Sequence, residues 1–171
     1  GVLPQDAALD ERLTTREFLR YMGTLQGMSR GDAAKAADRT LAEVNLADRA
    51  DHLIRSLSHG MRRRLGLAEL LMRDSRIAVL DEPTSGLDPQ STSELLDLIR
   101  SFAKDGITVL VSSHLLDIVQ SICSRVALFN KGRIGFVGTV EELAPPVDHL
   151  RAAFLVVAAF CGLTRDRVGA V

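Results

Sequence analysis

The chain has 171 residues, of which 46% are hydrophobic and 25% are charged, a composition typical of one globular domain and not of a disordered or fibrous protein. Its formal net charge of −1 at pH 7 gives no electrostatic footprint for nucleic acid, so no nucleic-acid partner is expected. The two cysteines, Cys123 and Cys161, form no metal-ligand spacing, and the longest apolar run, residues 152–163, is shorter than the roughly 20 residues of a membrane-spanning helix.

Three runs with apolar residues at helical spacing occupy the first half of the chain. The pattern Ser/Thr-x-x-acid begins the first two, at Thr14 and Ser29, and predicts capped helices. Ser58 is the predicted N-cap of the third, in which the arginines of residues 62–64 lie opposite an apolar stripe and are expected to form a solvated helix face. Together these runs predict one helical subdomain over about residues 14–74.

The pattern then changes to short, β-branched apolar runs at residues 77–81 and 107–113, which is typical of strands buried on both faces. Between them, Asp88 and the proline after it open a helix that Gly106 closes. The order strand, helix, strand predicts a βαβ unit and hence a parallel sheet.

A further helix is predicted over about residues 114–123, and "RVALFNKGRIGFVG" alternates around Lys131 and Gly132 as a β-hairpin does. The tail, residues 145–171, contains an apolar block without polar alternation. A buried helix, a contact surface and a poorly ordered end all remain open for it, and no function is assigned. The predicted fold class is therefore α/β, a mostly parallel sheet flanked by helices with an inserted helical subdomain.

Ionisable residues follow the predicted strands at their carboxyl ends, where ligands of parallel sheets bind. Asp81 and Glu82 end one strand and His114 follows another, so we expect the three to converge on one edge. A rigid carboxylate there can orient Mg²⁺ through its water shell, and a second can polarise an attacking water. A strand end turning polar would explain one acid alone, but "AVLDEP" with "SGLD" directly after it favours the site.

Ser58, His59 and Gly60 stand at the start of the third helix, where unpaired backbone N–H groups and the helix dipole suit phosphate oxygens. Gly60 would let an anion approach closely. A plain N-cap explains Ser58 taken alone, and Asp88 before a proline is a good helix opening whatever else it does. Gln5 would be an ordinary turn residue if nothing else supported it.

Taken in order, these segments resemble motifs of the nucleotide-binding domain of ABC transporters. The segment "LSHGM" resembles the ABC signature motif, "IAVLDE" the Walker B strand, "SGLD" the D-loop and "VSSH" the switch-histidine segment, while Gln5 matches the glutamine of the Q-loop. The resemblance covers about residues 1–143 and implies a P-loop NTPase-like fold. It assigns nucleotide contacts to Gln5, Leu57, Ser58, His59, Gly60, Met61, Ser85, Gly86, Leu87 and Asp88.

The resemblance also implies the partners and the chemistry. Two such domains would dimerise head to tail around ATP, bound to a transmembrane permease subunit at the cytoplasmic face of the membrane. Asp81 and Gln5 would serve Mg²⁺, Glu82 would be the general base, and His114 would contact the γ-phosphate. Ser58 and Gly60 would meet the ATP of the opposite subunit, Asp88 would act across the dimer interface, and Gln5 would link the site to the permease.

The sequence departs from the family pattern in three places, of which one is the tail beyond Leu143, whose apolar block does not align with the usual family ending. His59 and Met61 stand where glycine and glutamine are usual, a variant that resembles the drug-exporter and ABC-2 branch. The phosphate-binding Walker A sequence G-x-x-x-x-G-K-[ST] is missing, because the only lysines are Lys35, Lys104 and Lys131 and none follows a glycine.

The abrupt start at Gly1 fits a missing amino-terminal part. We therefore expect residues 1–144 to be a partial ABC ATPase domain, with the catalytic α/β part at about 75–144. Alone, it should bind MgATP very weakly and not hydrolyse it.

Two other hypotheses are considered. One is a non-catalytic interaction module that lends its signature helix to a complete ABC partner. The other is an ABC ATPase that acts on DNA or ribosomes, which the short helical subdomain and the near-neutral charge disfavour.

Overall fold

The computed structural model describes residues 1–73, 75–130, 132–143 and 156–161. The helices are α1 (Thr15–Leu25), α2 (Arg30–Glu43), α3 (His59–Met72), α4 (Pro89–Lys104) and α5 (Leu116–Ile122). The strands are β1 (Val2–Leu3), β2 (Ile77–Asp81), β3 (Thr108–Ser113), β4 (Arg125–Asn130), β5 (Arg133–Thr139) and β6 (Val156–Cys161). Short 3-10 turns occur at Ala47–Arg49, Ile54–Ser56 and Glu141–Leu143.

The chain divides into two compact units. The first contains Gly1 and residues 6–75 and 84–98, and the second contains residues 2–5, 76–83 and 99–171. Within the described residues, no helix combines the length and the apolar character that crossing a membrane requires.

The first unit is built on three capped helices, as the sequence predicts. The Thr14 side chain accepts a hydrogen bond from the Glu17 backbone at 3.2 Å, and the Glu17 carboxylate accepts one from the Thr14 backbone at 2.8 Å, which is a complete capping box. Ser29 caps α2 through the Asp32 backbone at 3.1 Å. The helices pack around fully buried leucines, each of which stabilises the unit by about 1.5–3 kcal/mol. These include Leu19, Leu41 and Leu65.

The arginines of α3 do not form the solvated face that the sequence predicts. Arg63 is only 6% exposed, and the side chain of Arg64 is 14% exposed beside Glu94. Arg62 donates to the Glu11 carboxylate at 2.6 Å and to two backbone carbonyls. The prediction was wrong because the long aliphatic stems of arginine can be buried while the guanidinium groups find partners.

The second unit is a six-stranded sheet with the order β1-β2-β3-β6-β4-β5. Strands β1, β2 and β3 pair in parallel, and α4 connects β2 to β3, which confirms the predicted βαβ unit and the α/β fold class. Only one face of β2 is fully buried, through Ala78 and Leu80, whereas Ile77 is 56% exposed. The expectation that both faces of this strand are buried was therefore wrong.

The later elements agree with the sequence up to the tail. α5 begins at Leu116, two residues after the predicted start. β4 and β5 form the predicted hairpin with Gly132 at a φ of 76°, while Lys131 lies outside the described residues. In the tail, β6 pairs with β3 and β4, so the alternative of a buried helix was wrong for residues 156–161. Residues 144–155 and 162–171 lie outside the described part.

Candidate functional site

Parallel pairing brings the carboxyl ends of β2 and β3 to one edge of the second unit. Asp81 is the direct partner of Ser112 in this ladder. The Ser112 hydroxyl donates to the Asp81 carboxylate, and the Glu82 backbone N–H donates to the Ser112 carbonyl and hydroxyl at 3.2 and 3.0 Å. Ser112 therefore holds both acidic residues in place, although sequence reasoning did not single it out.

Glu82 and His114 meet directly, as the sequence predicts. One carboxylate oxygen of Glu82, Oε1, accepts from the His114 backbone N–H at 3.0 Å and lies 2.9 Å from His114 Nδ1. Because a carboxylate only accepts, Nδ1 is the donor in this contact. The Glu82 side chain is 18% exposed and that of His114 is 54% exposed, so the histidine is the member of the pair that is open to a ligand.

Glu82 combines two unfavourable features. Its φ of 44° lies in the left-handed region, which costs a residue with a Cβ about 1–3 kcal/mol. Its second carboxylate oxygen, Oε2, is buried without a hydrogen-bond partner among the described residues. An unpaired buried acceptor costs about 1–3 kcal/mol, so this edge is suited to a polar group supplied by a ligand or by water.

The oxygen donors at this edge fit a metal ion only together with further ligands such as water or phosphate oxygens. Asp81 is an exposed carboxylate next to Glu82, and oxygen ligands of this kind suit Mg²⁺. Within the described residues, however, no group of three or more His, Cys, Asp or Glu side chains is arranged to hold a metal ion. One or two carboxylates with water and phosphate oxygens are the usual Mg²⁺ environment in ATPases, and the residues present fit that kind of site.

Gln5 lies in an exposed turn that follows β1. Because β1 runs parallel to β2, with Leu3 opposite Leu80, the turn is at the same edge of the sheet as Asp81. Among the described contacts, none joins the Gln5 side chain to Asp81, Glu82 or His114.

The signature segment begins α3 in the first unit. The Ser58 hydroxyl accepts from the Met61 backbone at 3.2 Å, which confirms the predicted N-cap, and the Leu57 side chain before it is buried. Gly60 packs against Ser91, because a Cβ added at residue 60 would lie 2.8 Å from Ser91 Oγ and 2.9 Å from Ser91 Cβ. Glycine at position 60 thus has a structural reason that is independent of any ligand.

The D-loop-like segment lies beside this helix in the same unit. His59 Nε2 is 3.2 Å from the Ser85 carbonyl oxygen, and Gly86, with a φ of 73°, leaves room for the imidazole ring. The Leu87 backbone N–H donates to the carbonyl of Thr84 at 3.2 Å, which closes the turn. Sequence reasoning did not foresee the contact between His59 and Ser85, since no short-range pattern links residues so far apart in the chain.

Asp88 is the predicted cap of α4. Its carboxylate accepts from the Ser91 backbone at 2.9 Å and from the Ser91 hydroxyl at 2.6 Å. These hydrogen bonds, the one from the hydroxyl first, lower the pKa of Asp88. The sequence carried a signal for Ser91, because a hydroxyl three residues after an N-cap aspartate can return a hydrogen bond to it.

Comparison with known proteins is in agreement with these motifs. Residues 1–85 match the ABC transporter family. Over 143 residues, 84% of this chain, it is 35% identical to the linearmycin resistance ATP-binding protein of Bacillus subtilis and covers 46% of that protein. It is 39% identical, also over 143 residues and 84% of this chain, to a daunorubicin resistance ATP-binding protein of Streptomyces coeruleorubidus and covers 45% of that protein.

A solved structure supports the same fold. A putative metal-chelate type ABC transporter in an inward-facing conformation superposes with a TM-score of 0.80 at 21% sequence identity, over 97% of this chain and 72% of that one. The chain spans less than half the length of the two resistance proteins. The chain belongs to the ABC transporter family, with the sequence and fold of its ATP-binding domain.

Proposed function

We propose that this chain belongs to the ATP-hydrolysing subunit of an ABC exporter and supplies its general base. The observation that carries the proposal is the buried Oε2 of Glu82 at the end of β2, which has no hydrogen-bond partner in the described part of the chain. An acceptor held rigidly at the edge where ligands of parallel sheets bind is suited to take a proton from an attacking water. ABC ATP-binding domains bind ATP, and this proposal extends that property to named residues of the chain.

His114 is proposed to orient Glu82 and to contact the γ-phosphate of ATP. Its backbone N–H and Nδ1 both reach Oε1 of Glu82, which leaves Oε2 for the water. Nε2 remains for the phosphate, and donating from both ring nitrogens at once requires the imidazolium form. A cation beside the transferring phosphoryl group stabilises the charge that develops there.

Asp81 is proposed to hold Mg²⁺, with the Ser112 hydroxyl fixing its carboxylate. The metal would neutralise charge on the phosphate oxygens when MgATP is bound. Gln5, at the same edge, is proposed to be a second, water-mediated contact and the link to a transmembrane permease subunit. The working subunit is accordingly proposed to lie at the cytoplasmic face of a membrane.

The signature segment is proposed to serve ATP held by a second ABC ATPase domain in a head-to-tail dimer. Ser58 and Gly60 begin a 14-residue helix, whose amino-terminal N–H groups favour anions. Leu57, His59 and Met61 complete this contact, and the loop from Ser85 through Gly86 and Leu87 to Asp88 would cross the dimer interface. The names of the relatives, which specify resistance to linearmycin and daunorubicin, support export as the direction of transport.

The test is to supply a Walker A sequence to the chain. We expect the chain alone to bind MgATP very weakly and to show no turnover, because most phosphate contacts come from that loop. Fused behind an amino-terminal segment of an ABC ATP-binding protein that contains G-x-x-x-x-G-K-[ST], the chain should hydrolyse ATP. Steady-state phosphate release measures both.

Glu82→Gln in the fusion should lower kcat by about 10²–10⁴-fold, the usual contribution of a general base. Glu141→Gln, at an exposed carboxylate in the turn Glu141–Leu143, is the matched control and should leave kcat unchanged. Equal rates for the two variants would overturn the role of Glu82. If the fusion is inactive while the added chain raises the turnover of a complete ABC subunit, the non-catalytic module is the better explanation.

A further inference from the structure

One side chain, that of Arg62, joins two segments of the first unit that lie far apart in the sequence. Its Nη1 donates to the Glu11 carboxylate at 2.6 Å, its Nη2 to the Arg55 carbonyl oxygen at 3.2 Å and its Nε to the Leu57 carbonyl oxygen at 3.3 Å. The guanidinium is planar and presents its N–H donors in a fixed fork. One rigid group therefore holds the carboxylate and the two carbonyl groups in a defined arrangement.

The first segment is a turn that contains Glu11. The Leu13 backbone N–H donates to the Asp10 carbonyl oxygen at 3.1 Å, which closes the turn. The Asp10 carboxylate also accepts from the Arg12 backbone N–H at 3.1 Å, so the turn is kept in shape by its own hydrogen bonds. In the sequence, Glu11 stands six positions after Gln5, the residue proposed to link the ATP site to a permease.

The second segment leads directly into the signature segment. It contains the 3-10 turn Ile54–Ser56 and ends at Leu57, whose side chain is buried. The next residue is Ser58, the N-cap of α3. Because Arg62 holds one carbonyl group within this turn and one just after it, Arg62 fixes the backbone immediately before the first N–H groups of α3.

The two segments also meet through the main chain, but at another point. The Ile54 backbone N–H donates to the Leu13 carbonyl oxygen at 3.0 Å. This contact comes after Glu11 in the first segment and before Leu57 in the second. Within the described residues, Arg62 is the group that contacts the Glu11 carboxylate, and it connects that carboxylate to the backbone next to the signature segment.

We propose that Arg62 is a positioning residue, which ties the turn of Glu11 to the start of the signature segment. A displacement of the chain after Gln5 then moves the N–H groups at Ser58 and Gly60 through this one side chain. The inference rests on the proposed function, in which these groups meet the ATP of a second domain. Lysine is not expected to replace arginine here, because an ammonium group lacks the fork that reaches a carboxylate and two carbonyl groups at once.

The first test measures the connection in the 171-residue chain without ATP. Glu11→Gln keeps the shape of the side chain and removes its charge, and it should shift the amide NMR resonances of Ser58, His59 and Gly60. Arg62→Met keeps an apolar stem and removes the guanidinium. In that background Glu11→Gln should no longer shift these resonances, because the connection is already broken.

Glu43→Gln is the matched control. Glu43 pairs with Arg39 at 3.6 Å on α2, and its side chain is 46% exposed, close to the 54% of Glu11. Both variants therefore remove one charge from an exposed ion pair of the same unit. They should have similar midpoints of urea unfolding, and Glu43→Gln should leave the resonances of residues 58–60 unchanged.

The second test uses the active fusion. Glu11→Gln and Arg62→Met should each lower kcat/KM for ATP by about tenfold, because a displaced signature segment contacts the nucleotide less well. The double variant should be no slower than Arg62→Met alone. Arg62→Lys should also be slow, since it keeps the charge but not the fork, whereas Glu43→Gln should match the unmodified fusion.

Three results would overturn the proposal. They are unchanged resonances of residues 58–60 in Glu11→Gln, an equal shift with and without the Arg62 guanidinium, and full activity of the Arg62→Met or Arg62→Lys fusion. If Arg62→Met does not fold, Arg62→Lys replaces it in the first test. A fusion without turnover contradicts the proposed function, while the resonances still decide on the connection. Equal shifts beside an active fusion contradict the connection and leave the proposed function standing.

Discussion

Two polar clusters of this chain use similar residues in opposite ways. The signature cluster, in the first unit, consists of Ser58, His59, Gly60, Ser85, Asp88 and Ser91. The strand-end cluster, in the second unit, consists of Asp81, Glu82, Ser112 and His114. In the signature cluster, the serine, histidine and aspartate side chains form caps or loop contacts within the chain. In the strand-end cluster, Glu82 keeps a buried oxygen without a described partner.

The backbone shows the same contrast. In the signature cluster the positive φ falls on Gly86, where it carries little cost, whereas in the strand-end cluster it falls on Glu82. A strained residue with a carboxylate oxygen unpaired among the described residues lowers the stability of the fold, and the hydrogen bonds described for the Glu82 side chain are those to His114. The side chains of the first cluster are thus paired within the chain, whereas the second cluster offers a carboxylate oxygen that the proposed function assigns to a ligand.

The largest effect expected from this contrast is the loss of turnover in His114→Ala. Removing one donor to a developing charge costs about 10²–10³-fold in kcat, so the active fusion should slow by that factor. The free energy of unfolding should change by no more than about 0.5 kcal/mol, because the side chain is largely exposed and the backbone N–H still reaches Glu82. Phosphate release and urea titration measure the two quantities.

His52→Ala is a suitable control for His114→Ala, since His52 is another exposed histidine and lies in the first unit. It should leave kcat of the fusion unchanged. If His114→Ala lowers stability but leaves turnover unchanged, His114 has a structural role. The strand-end cluster would then not differ from the signature cluster in the way described.

The next effect is on stability in the signature cluster. Gly60→Ala puts a Cβ where Ser91 already lies, at 2.8 Å from its hydroxyl oxygen, and overpacking of this kind costs about 1–3 kcal/mol. Gly31→Ala is the matched control in α2, where an added Cβ meets only Ser29 Oγ at 3.9 Å, and it should be neutral or stabilising by up to about 1 kcal/mol. Urea unfolding of both variants makes the comparison, and equal stability would show that residue 60 has room.

Ser58→Ala should have a smaller effect of about 1 kcal/mol, the usual cost of losing an N-cap hydroxyl. Ser29→Ala removes the corresponding cap of α2 and should cost a similar amount. The pair sharpens the comparison of clusters, because the proposed role of Ser58 at a partner's ATP predicts lower turnover of the fusion for Ser58→Ala alone. Equal turnover of the two variants would leave Ser58 as a cap and nothing more.

The elements that the sequence predicts are those governed by local rules. The capping box at Thr14 and the caps at Ser29, Ser58 and Asp88 each depend on residues three positions apart, and all are present. The convergence of Glu82 and His114 was also predictable, because parallel strands bring their carboxyl ends to one edge.

The misses share a different cause, since each depends on which element packs next to which. The burial of Arg63 follows from the neighbours of α3, and no periodicity within the helix indicates it. Main-chain pairing sets the position of β6 between β3 and β4. An apolar block in the sequence does not indicate which strands it will pair with. Ser112 was overlooked because serine is common in every context, and only the geometry shows that it holds Asp81. Ser91 was overlooked although its place three residues after Asp88 is a local signal.

The smallest effect is a pH dependence in the signature cluster. Because the pKa of Asp88 is lowered in the folded chain, its contribution to stability is fully present above the unfolded pKa of about 3.9 and is lost as the pH falls through the lowered value. Ser91→Ala removes the hydroxyl that is the main cause and should raise the pKa of Asp88 toward its ordinary value. Ser93→Ala, at an exposed serine of the same helix, should leave it unchanged. Carboxyl carbon NMR titration of the unmodified chain and the two variants measures this pKa. The same value in all three would mean that Ser91 does not hold the Asp88 carboxylate, contrary to the internal pairing described for the signature cluster.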